Sequence, residues 1–235
     1  MERMWLRARA PFAAFRSLQA GVFRATAPVI PPSAAWGLVL NLAGYDSRGP
    51  LDRPVTPVRE GLPALRIAIG EVTRSGLFSL YQQLHSYPVG NSGKELRPRT
   101  KGAKYWIAPV RREYLSDLDV VIGVESDDPA LPDRVHRGLA GGGGWPRYGL
   151  PFAGDNNLLF DSIDVLDLPV PCRWYCRLGP DDQPGSVTCR LTIGIDREES
   201  SRTGSGVFGL GVEPAPEPPE AAWTWTPRAP EGRLP

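Results

Sequence analysis

The stretch "GLFSLYQQLHSYPVGNSGKELRPRTKGAKYWIAPVRREYLSDLDVVIGVES", Gly76 to Ser126, decides the architecture. Its flanks, Gly76 to Gly90 and Ala103 to Leu115, carry apolar and aromatic residues at strand spacing. The middle is crowded with Gly, Pro and charge, so the pattern predicts two arms of a long hairpin with a turn-rich tip. "DLDVVIGVES", Asp117 to Ser126, follows as an apolar run of the length of a buried strand. The tip is basic: from Gly93 to Arg112 there are seven bases (Lys94, Arg97, Arg99, Lys101, Lys104, Arg111, Arg112) and one acid, Glu95. Tyr105 and Trp106 stand directly beside them. Cations that pair with phosphates, next to rings on which bases stack, are what binding of single-stranded RNA requires. The alternative is a solvated basic loop whose aromatics turn into the core.

Outward from this hairpin the chain supplies a scaffold. "RMWLRARA", Arg3 to Ala10, alternates large apolar and basic residues and predicts a first strand with one wet face. "PPSAAWGLVLNLAG" opens with Pro31, Pro32 and Ser33 and closes on Gly44, the punctuation of a helix. "ALRIAIGEV", Ala64 to Val72, predicts a period-two strand before the hairpin. Beyond the buried strand, Pro129 to Leu139 predicts a short helix and "NNLLFDSIDVLDL" a further strand. The order strand, helix, strand, hairpin, strand, helix, strand suits an α+β, ferredoxin-like sheet with a hairpin insertion, a layout shared with RNA-recognition sheets. We divide the chain into residues 1–167 as this domain, its hairpin at about 76–115; residues 168–227 as a β-rich C-terminal extension; and 228–235 as a flexible tail. Within the extension, "RWYCRL" and "SVTCRLTIGI" predict a hairpin around "GPDDQPG", and "EPAPEPPE" is a proline-rich surface segment. Gly204, Gly206 and Gly209 match a dinucleotide-binding glycine pattern, but no strand leads directly in and no helix follows, so a turn or bulged strand is expected there.

Composition narrows the function. The formal net charge of +1 conceals a polarised chain: residues 1–112 hold 17 Lys+Arg against 6 Asp+Glu, whereas residues 113–235 hold 10 against 20. Such asymmetry points to a polyanion or acidic partner on one face. No apolar run approaches the roughly 18 to 20 residues needed to cross a bilayer, and the N-terminal stretch shows no signal-peptide cleavage pattern, so a cytoplasmic protein is expected. Cys172, Cys176 and Cys189 lack a fourth ligand or a neighbouring His, which predicts reduced, partly buried thiols, with no metal and no cofactor. The glycine run in "LAGGGGWPRYGLPFAGDNNLLFD", Leu139 to Asp161, lacks the Lys-Ser/Thr of a phosphate-binding P-loop.

Two blocks, "LRARAPFAAFRSLQAGVFRATAPVIPPSAAWGLVLNLAG" (Leu6 to Gly44) and "RYGLPFAGDNNLLFD" (Arg147 to Asp161), resemble the characteristic segments of the fifth family of CRISPR-associated Cas proteins, in its DevS or MYXAN branch. The resemblance implies a RAMP-type RNA-recognition fold whose hairpin is a "thumb". It implies a subunit of a type I Cascade surveillance complex that holds the five-prime handle of the CRISPR RNA. Its implied partners are the backbone subunit, the large subunit and, in the assembled complex, target DNA, in antiviral defence or RNA-guided targeting. RAMP folds place a glycine-rich loop after the second helix, where Gly142 and Gly143 would turn amides toward phosphates and Arg147 and Tyr148 would pair and stack at the rim. In the first block Arg16 and Arg24 flank a loop, and Thr26 and Ser33 offer hydroxyls near a helix start, a natural phosphate seat. Arg97, Arg99, Lys101, Lys104, Tyr105 and Trp106 complete the expected RNA-binding set. Trp36 reads as packing, and Asp155, Asn156 and Asn157 as turn formers. One branch of the family cuts precursor CRISPR RNA without metal; here Tyr81 or His85 with Lys101 or Lys104 would be the candidate groups. That branch's motif context is missing and the other histidine, His136, sits apart, so a noncatalytic subunit is expected and a metal-independent endoribonuclease is the alternative.

Overall fold

A computed structural model describes residues 1–16, 22–50, 52, 56–88, 105–141, 149–182 and 187–230. Among these, the strands are β1 (Glu2–Ala13), β2 (Phe23–Arg24), β3 (Leu65–Thr73), β4 (Gly76–Pro88), β5 (Tyr105–Ser126), β6 (Ser162–Leu166), β7 (Arg173–Arg177), β8 (Thr188–Gly194), β9 (Gly204–Leu210) and β10 (Thr224–Thr226). The helices are α1 (Pro32–Leu42) and α2 (Leu131–Leu139). The main path of the sheet runs β6-β1-β5-β3-β7-β9-β8, with β10 on β3 and both β2 and β4 on β5. All pairings are antiparallel except that of β2 with β5. The fold is a mostly antiparallel α+β sheet with two helices.

Strand alternation places the core. On β1, Met4, Leu6, Ala8 and Ala10 join Val120, Ile122 and Val124 of β5 and Leu65, Ile67 and Ile69 of β3 in one apolar cluster with α1. Helix α1 starts at Pro32, whose missing N–H costs nothing in the first turn, and is followed by Gly44 at φ 74°, a left-handed position suited to glycine. Trp36 is buried and donates its indole N–H to the Pro63 carbonyl at 2.9 Å, a packing role. Asp128 caps the approach to α2 by accepting from Ala130 N at 2.9 Å, so the helix begins two residues later than Pro129.

The opposite face of the sheet is closed. Trp5, Val121, Ala68, Trp174 and Trp223 form a second cluster, and Gly123 is needed there because a Cβ would lie 2.7 Å from Trp5 and 2.9 Å from Trp223. The basic residues of β1 are spent in cross-strand pairs: Arg3 with Glu125 at 2.7 Å, Arg7 with Asp119 at 2.7 Å, and Arg9 with Asp164 at 3.3 Å. Burial pushes the Cys172 thiol up to about 12 and the Cys189 thiol up to about 11, and both are free.

Three expectations are corrected. The second hairpin arm and the buried strand are one 22-residue strand, β5, bent where Asp117 takes φ 56°. The strand expected from Asn156 onward is confined to Ser162–Leu166, because Asp155 and Asn157 close a turn first: Asn157 N donates to Asp155 Oδ1 at 3.0 Å. "RWYCRL" and "SVTCRLTIGI" do not pair with each other; the glycine-patterned segment forms β9 and lies between them. The glycines admit that close sandwiching: at Gly206 a Cβ would sit 3.1 Å from Phe208 and 3.2 Å from Ile193.

Candidate nucleic-acid interface

Strands β4 and β5 pair from Gly76↔Ser116 to Pro88↔Tyr105. At the root of this hairpin β2 lies on the other edge of β5, with Phe23 opposite Arg111 and Arg24 opposite Arg112. The loop between β1 and α1 is fastened there by Thr26. Its hydroxyl accepts from Phe15 N at 2.8 Å and donates to the Ala27 carbonyl at 3.0 Å, while its own N–H donates to Glu113 Oε2 at 3.1 Å. The result is a cationic cluster of Arg16, Arg24 and Arg112. Partial burial, then the charges of Arg24 and Arg112, hold the Arg16 guanidinium below its ordinary pKa, with Asp155 opposing.

A second loop, residues 152–159, meets the cluster through Asp155. Ala14 N donates to the Ala153 carbonyl at 2.9 Å, and Gly154 follows at φ 82°, so close that a Cβ would lie 2.4 Å from the Ala14 carbonyl oxygen. This delivers Asp155, 8% exposed, to the guanidinium of Arg112. Arg112 also donates to Gln82 Oε1 at 3.4 Å, and its buried Nε has no hydrogen-bond partner among the described residues. Between hairpin root and loop lies a cavity of about 320 Å³. Phe12, Leu80, Tyr114 and Leu158 give it apolar walls, and Gln82, Arg112, Asp155 and Asn157 converge as polar groups. An aromatic row borders it: Tyr114 stacks on Phe78 with centroids 5.8 Å apart and meets Phe12 edge-on at 5.6 Å.

The expected site residues fall into three groups. Arg16 and Arg24 come together with Arg112. Thr26 lies beside them with its hydroxyl committed to the backbone, and Ser33, 8% exposed, is buried in the first turn of α1. Arg97, Arg99, Lys101, Lys104, Gly142, Gly143, Arg147 and Tyr148 lie outside the described residues, as do the side chains of Tyr105 and Trp106, whose backbone opens β5. Of the candidate catalytic groups, Tyr81 is exposed opposite Arg111, His136 is exposed on α2, and the side chain of His85 is outside the described residues. Sequence reasoning undervalued Arg112, Gln82, Phe12 and Tyr114. The available signal was the period-two spacing of "FSLYQQ" and "RREY", which puts Phe78, Leu80, Gln82, Arg112 and Tyr114 on one face of the hairpin.

Among the described residues no cluster of His, Cys, Asp and Glu is arranged to hold a metal ion, and no helix is long and apolar enough to cross a membrane. No curated protein matches the chain. Among solved structures, a chain of a CRISPR RNA-guided surveillance complex superposes with a TM-score of 0.56 at 16% identity, over 94% of this chain and 96% of its own, a likeness of fold. The crystal structure of a Cas protein gives a TM-score of 0.47 at 17% identity, over 93% of this chain and 100% of its own. The model of the family described as CRISPR-associated protein (Cas_Cas5) matches residues 4–150, and the chain belongs to that family.

Proposed function

We propose that the protein is the subunit of a type I CRISPR surveillance complex that holds the five-prime handle of the guide RNA without cutting it, in the cytoplasm. The β4–β5 hairpin is its thumb, on a ferredoxin-like RAMP scaffold, and the adjacent backbone subunit and the large subunit are its protein partners. The observation that carries this is the grouping of Arg16, Arg24 and Arg112 at the hairpin root, where Arg112 lines a partly apolar cavity bordered by half-buried Tyr114 and the exposed rings of Phe12 and Phe78. Phosphates need the guanidinium groups, and bases need the aromatic and apolar walls. The pairing along β1 supports the same placement: Arg3, Arg7 and Arg9 each meet a carboxylate, so less free cation is left there for RNA.

The test is binding of handle RNA to the purified protein and to the protein co-expressed with the guide RNA and the other complex subunits. Handle RNA should bind in preference to unrelated RNA of equal length. Arg16→Ala with Arg24→Ala should weaken binding by about 10-fold or more, since each hydrogen bond to a charged group contributes about 1.5–3 kcal/mol net of the bonds to water it replaces. Repeat RNA incubated in chelator should remain intact. Equal affinity for any RNA overturns handle recognition, and specific cleavage at the handle boundary, abolished by Tyr81→Phe or His85→Ala, overturns the noncatalytic reading.

A further inference from the structure

Strand β4 is an edge. Its inner side is saturated by β5, while among the described residues no strand or loop hydrogen-bonds the backbone of its outer side. From Gly76 to Gln83 it contains no charged residue and no proline, and its pairing with β5 shows no register shift before His85. Leu77 is 60% exposed, Phe78 52% and Tyr81 68%, so both faces of the edge present apolar surface. Exposed edges of this length are ordinarily guarded by lysine, proline or a bulge, because a row of free N–H and C=O groups is a template for another strand. Within Gly76–Gln83 none of these guards is present; the register shift and the proline of β4 come only at His85 and Pro88.

We infer that the outer edge of β4, Gly76–Gln83, receives an extended segment of another protein subunit as an added strand. Alternate amides and carbonyls call for an extended peptide backbone, which nucleic acid does not possess. Charge selects which peptide. Across the pairing from this strand stand Arg111, opposite Tyr81, and Arg112, opposite Leu80, in a half of the chain with 17 Lys+Arg against 6 Asp+Glu. A second copy paired edge to edge would bring two such regions together, whereas a neutral or acidic segment with alternating apolar residues meets both the charge and the exposed Leu77, Phe78 and Tyr81. That this segment belongs to a surveillance-complex subunit rests on the function proposed above; the openness of the edge among the described residues does not.

Hydrogen–deuterium exchange tests this on two samples, the protein with handle RNA alone and the protein copurified with the guide RNA and the other complex subunits. Alternate amides within Gly76–Gln83 should slow by about 10-fold or more in the complex and not with RNA alone, as backbone bonds form along the edge. Leu77→Lys with Ser79→Lys should reduce copurification of the neighbouring subunit while leaving the circular dichroism melt and handle affinity unchanged. A complex in which these amides exchange as fast as in the protein alone overturns the inference. So does a homodimer of the isolated protein that protects the same amides. Loss of handle binding with β4 protection retained overturns the RNA reading and leaves the added strand standing.

Discussion

Arg112 does two things that are usually separate. It neutralises the buried Asp155 and it supplies charge at the cavity, so removing it exposes both roles at once. Arg112→Ala leaves a carboxylate that is 8% exposed without its counter-ion, and loss of one partner of a buried pair costs about 3–5 kcal/mol. Adding Asp155→Asn removes the stranded charge while an amide oxygen still accepts from Asn157 N, so the double variant should recover more than half of that loss in a urea melt. Handle affinity should stay low in both. If the double variant binds RNA as well as the parent, Arg112 is a structural ion pair and not a contact. Thr26 shows the reverse case: its hydroxyl suggested a phosphate ligand in the sequence, but all of its described bonds brace Phe15, Ala27 and Glu113.

At the scale of elements, the site depends on one loop being pressed against the end of β1, and Gly154 is what permits the approach. Gly149 offers an internal comparison, since it has φ 72° with nothing within 4 Å of a Cβ, whereas Gly154 has φ 82° and a backbone oxygen at 2.4 Å. Gly149→Ala should therefore cost only the left-handed penalty, about 1–2 kcal/mol. Gly154→Ala should cost roughly 1–3 kcal/mol more, because the crowded atom is main chain and the loop must move. At about 2–4 °C per kcal/mol for a chain of this size, differential scanning fluorimetry resolves the two, and equal shifts would show that the contact with Ala14 is dispensable. The elements differed in how legible they were. β1, α1 and β3 could be read because period and punctuation agree, as with the Pro32 start and Gly44 stop of α1. The bend at Asp117 could not, since it joins two stretches that each satisfy strand patterning. The insertion of β9 between β7 and β8 was hidden for a different reason: strand order is set by packing, and nothing local in "GSGVFGL" names its neighbours.

For the whole molecule, the charge polarity seen in the sequence acquires a location. Residues 1–112 contribute Arg16, Arg24 and Arg112 to the hairpin root, but they also contribute Arg3, Arg7 and Arg9, which the fold pairs with Glu125, Asp119 and Asp164 from the acidic half. The excess of 17 Lys+Arg over 6 Asp+Glu is therefore not all available to a polyanion; part of it is held in cross-strand pairs along β1. Counting bases alone conceals that division, and salt dependence reveals it. For single strands the slope of log K against log salt changes by about 0.7 for each phosphate neutralised. Arg16→Ala with Arg24→Ala should make the slope for handle RNA shallower by about 1.4 if each seats one phosphate. Arg9→Ala, which breaks an exposed pair with Asp164 outside the hairpin-root cluster, should leave the slope unchanged and stability within about 1 kcal/mol. Filter binding across a salt series measures all three proteins. Equal shallowing by Arg9→Ala and the Arg16/Arg24 pair would mean that RNA senses only the net charge of the molecule, and the hairpin root would lose its claim to be the site.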